Sequence, residues 1–147
     1  MGRLFWKFFI FIWLGRQLPE KLAIKLLSAR PIVMIMSNAM AKSKDKDIRA
    51  YVHDQHLQHF SSFANRQVVA EAFSASVKAT VCDVARLITT PTLLIAGDID
   101  DITPLDKQRQ LNDMFTNSKL EVIKNVGHLT HYETPAAVAG AIKRFIA

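Results

Sequence analysis

At 147 residues, half of them apolar, the chain is long enough to bury one domain-sized core. A single cysteine, Cys82, excludes an internal disulfide framework and a cysteine-built zinc site, and it suits a reducing, cytoplasmic compartment. Charge is uneven: residues 1–50 hold ten Lys or Arg against three acids, a net of +7, whereas residues 51–147 carry a net of −1.

The run LFWKFFIFIWL, residues 4–14, stops at Gly15-Arg16-Gln17, short of the ~20 apolar residues that span a bilayer. Lys7 interrupts it and no small-residue cleavage site follows, so a buried or interfacial helix is expected rather than a signal peptide. Residues 18–29, LPEKLAIKLLSA, have apolar positions near helical spacing, with Pro19 where a first turn tolerates it. PIVMIMSNAMA, residues 31–41, is apolar almost all round and reads equally as a buried helix or a short strand. KSKDKD, residues 42–47, is a charged connector, and helices are expected over DIRAYVHDQHLQHFSSF and NRQVVAEAFSASVKA. Cys82 is expected to be a small buried side chain.

After Thr90-Pro91 the period changes. TLLIAG, residues 92–97, reads as a strand covered on both faces, and KLEVIK, residues 119–124, as a second. Between them Thr103-Pro104, with Asp106 three positions on, suggests a capped helix start running to about Phe115. Thr134-Pro135 opens a last helix, AAVAGAIKRFI. Two strands joined through a helix are expected to be parallel neighbours with a right-handed crossover.

Ligands of open parallel sheets sit beyond the carboxyl ends of the strands, and both polar clusters fall there. GDIDDITP follows the first strand and NVGHLTHYETP the second, so an acid of one loop can reach a histidine of the other. A carboxylate on one imidazole nitrogen fixes the tautomer and leaves the other nitrogen free to take a proton from a nucleophile.

These two segments resemble the C-terminal end of an α/β-hydrolase, in which the acid precedes the histidine in chain order. The resemblance implies that Asp100 is the catalytic acid and His128 the general base. It also implies an α/β fold class: a partial α/β-hydrolase fold, with a helical cap-like segment over residues 1–88 and the last two parallel strands and helices over residues 89–147. Asp98 and Asp101 are expected to cap or solvate their loop, and His131 and Glu133 to make local hydrogen bonds. His53, His56 and His59 lie three apart, which suits a solvated or cap-lining helix face better than a metal site. Neither cofactor nor metal is expected.

The family's nucleophile elbow, G-x-S-x-G, has no counterpart here, because none of Gly2, Gly15, Gly97, Gly127 and Gly140 is spaced that way around a serine, cysteine or aspartate. Ser37, in Ile35-Met36-Ser37-Asn38-Ala39, is the nearest imitation and is expected to hold a structural helix position. The resemblance therefore implies the C-terminal portion of an ester or acyl hydrolase, truncated and inactive alone. An N-terminal half would complete it for a small apolar or ester substrate. The alternative is a non-catalytic module that uses residues 1–30 on an anionic membrane surface, or its open strand edges on a partner chain or a second copy. Nucleic acid is not an expected partner, since no recognised motif accompanies the basic residues.

Overall fold

The computed structural model describes residues 13, 15, 17–60 and 62–147. The expectations for residues 4–12 and 14 lie outside the described residues. The chain divides into two compact units, residues 1–39 with 50–79, and residues 40–49 with 80–147.

The first unit is helical. Helices α1 (Glu20–Leu27), α2 (Arg30–Met40), α3 (Lys46–His59) and α4 (Arg66–Lys78) follow one another in the chain, with Met40 at the end of α2 and the first four residues of α3 counted in the second unit. The ambiguous apolar run is thus a helix, with Pro31 in its first turn, where a missing N–H costs nothing. Ala23 and Leu27 are the buried residues of α1, Val33 and Ser37 those of α2, and Val52 and His56 those of α3. Each pair is four residues apart, one turn along a single helix face. The histidine run therefore does not form one solvated face: His56 is buried and stacks edge-on against Phe60, His53 bonds Ser37, and only His59 is exposed. Asn65 caps α4 by accepting the Val68 N–H, and the Glu20 carboxylate takes both the N–H and the guanidinium of Arg66. Among the described residues no single helix is long and apolar enough to cross a membrane.

The second unit carries the sheet. Two short 3-10 turns, Val81–Asp83 and Ala85–Leu87, lead into β1 (Thr92–Gly97). Helix α5 (Leu105–Met114), β2 (Ser118–Ile123), the single turn α6 (Thr130–Glu133) and α7 (Pro135–Ile146) complete it. β1 and β2 pair in parallel without a bulge, from Thr92 opposite Ser118 to Gly97 opposite Ile123. The core of this unit is Ala85, Ala96, Val126, Leu129 and Ala141 with Ala41. Cys82 is exposed rather than buried, because Thr80 caps the first 3-10 turn with its hydroxyl and Asp83 closes the capping box, which holds the turn at the surface.

The start of α5 differs from the capped start expected there, and neither α5 nor α7 has a side-chain cap. The residue at the start of α5 is Pro104 without a side-chain cap, because the Thr103 hydroxyl is committed to Asp100. Thr134 precedes α7, but its hydroxyl bonds back to the Thr130 carbonyl.

Candidate active site

The loops that leave β1 and β2 are laced together beyond the ends of the strands. The Asp98 N–H bonds the Ile123 carbonyl at 3.0 Å, and its carboxylate accepts the Asn125 N–H at 2.6 Å. The Ile99 N–H then bonds the Val126 carbonyl at 3.2 Å. Asn125 has φ of 59°, a left-handed conformation that asparagine tolerates better than most residues, and this turns the chain sharply after β2. The lacing ends in a side-chain pair: His128 Nδ1 lies 3.0 Å from Asp100 Oδ2.

Asp100 is held by its own loop as well. Oδ1 accepts the N–H groups of Ile102 at 2.7 Å and Thr103 at 3.0 Å, and Oδ2 accepts the Thr103 hydroxyl at 2.6 Å. Its side chain is 6% exposed and that of His128 is 35% exposed, so the acid lies inside and the imidazole reaches the surface. Burial pushes the Asp100 carboxyl up, but the Thr103 hydroxyl and N–H, His128 and the Ile102 N–H outweigh it and hold the pKa below the ordinary value. An ionised carboxylate can only accept, so the hydrogen on Nδ1 points at Asp100 and the imidazole presents Nε2 as its acceptor. This is the arrangement in which a histidine can take a proton at Nε2 while the carboxylate steadies the resulting cation.

The two residues expected to form the site are thus adjacent, and the other acids have separate work. Asp98 bonds Asn125 and lies 3.7 Å from Lys124 Nζ, and Asp101 pairs with Lys42. His131 stacks on Tyr132. The Glu133 N–H bonds locally to the Leu129 carbonyl at 2.8 Å, but its side chain is buried and Oε1 accepts the N–H of Lys42 at 3.0 Å, 91 positions away in the chain. Ser37 is fully buried in α2, with its hydroxyl 2.6 Å from His53 Nδ1. Sequence reasoning missed the parts of Lys42, Glu133 and Thr103. Only Thr103 had a signal, an Asp followed two and three residues later by groups that its carboxylate can accept from. Among the described residues no cluster of three or more His, Cys, Asp or Glu is placed to hold a metal ion.

A model of the alpha/beta hydrolase fold family matches residues 10–135. The chain belongs to the α/β-hydrolase fold family. Solved structures of similar fold include a thermophilic esterase from Thermogutta terrifontis, at 21% identity and TM-score 0.65, covering 78% of this chain and 42% of that one. An esterase from Exiguobacterium antarcticum gives 14% identity and TM-score 0.67, covering 94% of this chain and 47% of the other. A bromoperoxidase from Bacillus anthracis gives 17% identity and TM-score 0.64, covering 85% and 48%. This α/β-hydrolase chain therefore spans a little under half the length of each of the three. No curated protein matches it.

Proposed function

We propose that this α/β-hydrolase chain supplies the acid and the base of an enzyme that cleaves an ester or similar acyl bond. The observation that carries the reading is the 3.0 Å contact between the buried Asp100 and His128 Nδ1. In this reading His128 Nε2 takes the proton of a nucleophilic hydroxyl as it attacks the acyl carbon, and Asp100 stabilises the imidazolium. His128 then returns the proton to the departing alkoxide and later deprotonates the water that releases the acid.

The nucleophile is read as coming from a segment other than these 147 residues. No G-x-S-x-G sequence occurs among them, and Ser37 lies fully buried inside a helix, engaged with His53. An elbow serine stands instead on a strained strand-to-helix turn with its hydroxyl exposed. Without a nucleophile, turnover falls by about 10⁶, so the chain alone is read as inactive. The substrate is read as a small apolar or ester compound.

The test is an assay with short- and medium-chain nitrophenyl esters, using the chain alone and the chain with an N-terminal half from an α/β-hydrolase that carries the elbow. Hydrolysis is expected only with both parts present, and it is expected to vanish in His128→Ala. Strong activity of the chain alone, abolished by Ser37→Ala, would overturn the proposal.

A further inference from the structure

We propose that Lys42 is a positioning residue that straps the loop of Asp100 to the loop of His128, with buried Glu133 as its anchor. Three contacts place it there. Its backbone N–H donates to Glu133 Oε1 at 3.0 Å, five residues beyond His128. Its ammonium pairs with Asp101, the residue after Asp100. Its side-chain stem lies over Gly127, the residue before His128, so closely that a Cβ at Gly127 would strike Lys42 Cγ. One residue from the segment 40–49 thus touches both loops immediately beside the acid and the base.

The contacts are unequal. The Asp101 side chain is 76% exposed, so its ion pair with Lys42 is screened and contributes little by itself. The bond to Glu133 is a different case. Glu133 is 4% exposed, and its Oε2 has no hydrogen-bond partner among the described residues. A buried carboxylate costs free energy that a local turn does not repay, whereas a charge-assisted bond to a distant backbone N–H fixes one segment on another. Lys42 holds the acid side loosely through its ammonium and the histidine side firmly through Glu133.

Because this rests on the acid–base reading of Asp100 and His128, the experiment needs a readout independent of turnover. The ring-nitrogen NMR shifts of His128 at alkaline pH report which nitrogen carries the hydrogen. In the 147-residue chain the Nδ1–H form should dominate. Glu133→Ala should move the ratio toward Nε2–H by about tenfold, the size of one lost charge-assisted hydrogen bond. Lys42→Met, which keeps the stem and the N–H, should move it less. Lys42→Arg, which keeps the charge, should leave it in place, and Glu133→Gln, which keeps the acceptor but not its charge, should move it less than Glu133→Ala. Lys42→Pro removes the same N–H from the other side, so the comparison survives a Glu133→Ala chain that does not fold. An unchanged ratio in Glu133→Ala, or in Lys42→Pro where Glu133→Ala does not fold, overturns the strap. An unchanged ratio in Asp100→Ala instead defeats the acid–base reading, whatever Lys42 does.

Discussion

Gly97 lies so close to Val126 that a Cβ at the end of β1 would collide with the Val126 carbonyl, and with that of Gly127 beside it. Both obstacles are backbone, so neither can swing aside. Gly97→Ala should therefore push the histidine loop away from the acid loop, at a cost of about 1–3 kcal/mol, the usual range for overpacking. Urea unfolding measures it, and a variant as stable as the parent would show that the loops separate freely.

In the enzyme completed by a nucleophile-bearing half, Asp100→Asn should lower turnover by about 10⁴ with little change in KM. The amide keeps the shape of the carboxylate, but its NH2 can face Nδ1 only if the imidazole adopts the other tautomer. Steady-state kinetics checks the split: a loss confined to KM would mean that Asp100 contacts substrate instead of orienting His128.

Asp100 also predicts a pH dependence of stability. Its folded pKa is held below its unfolded value, so the unfolded chain binds the proton first as pH falls. The contribution is therefore fully present above the ordinary aspartate pKa of about 3.9 and is lost as pH drops through the lower, folded value. As pH falls from about 3.9 through the lower, folded value, unfolding free energies should fall more steeply for the parent than for Asp100→Asn, whereas above about 3.9 the difference between the two should be constant. Parallel slopes would contradict the hydrogen-bond set around this carboxylate.

Ser37→Ala separates structure from chemistry. The hydroxyl is fully buried and bonded to His53, so its loss should cost about 1 kcal/mol of stability. Ester hydrolysis by the completed enzyme should be unchanged. A fall in turnover without a fall in stability would return Ser37 to consideration as a nucleophile.

Asn65→Ala should cost about 1 kcal/mol by removing the side-chain bond to the Val68 N–H at the start of α4, and Asn65→Ser should restore most of it. Thermal unfolding of the three chains is sufficient to decide.

The strand half of this chain was legible because its signals are local. TLLIAG is an apolar run and KLEVIK alternates charged with apolar residues, both are bounded by turn residues, and loops after parallel strands must meet at the sheet's carboxyl edge, so the sequence alone brings Asp100 and His128 together. What stayed hidden depends on contacts between distant residues. Nothing around Glu133 announces a bond to Lys42, and KSKDKD reads as a solvated connector although Lys42 reaches both loops. The spacing of His53, His56 and His59 suits a solvated or cap-lining face, yet the position of His56 one turn from Val52 puts it inside. Cys82 looked buried because cysteine usually is, but a capped surface turn overrides that average. PIVMIM had no periodicity to read, and only packing distinguishes a buried helix from a strand in such a run.

The unbroken register of β1 on β2 has a consequence for how this segment can vary in length. Asp100 stands three residues past Gly97 and His128 five past its partner Ile123, so the ladder measures out the acid-to-base distance. Adding one residue inside either strand would shift one loop by about 3.3 Å and turn its side chains to the opposite face, more than a hydrogen bond can follow. Residues added between Met114 and Ser118 shift nothing at the other end; they cost about 0.6 kcal/mol for each doubling of the connection's length and put at risk only the bonds of the Thr116 hydroxyl to the Ile88 carbonyl and of the Thr92 N–H to the Asn117 carbonyl. Lineages of this segment should therefore lengthen and shorten at the amino edge of the sheet and keep strict count at its carboxyl edge.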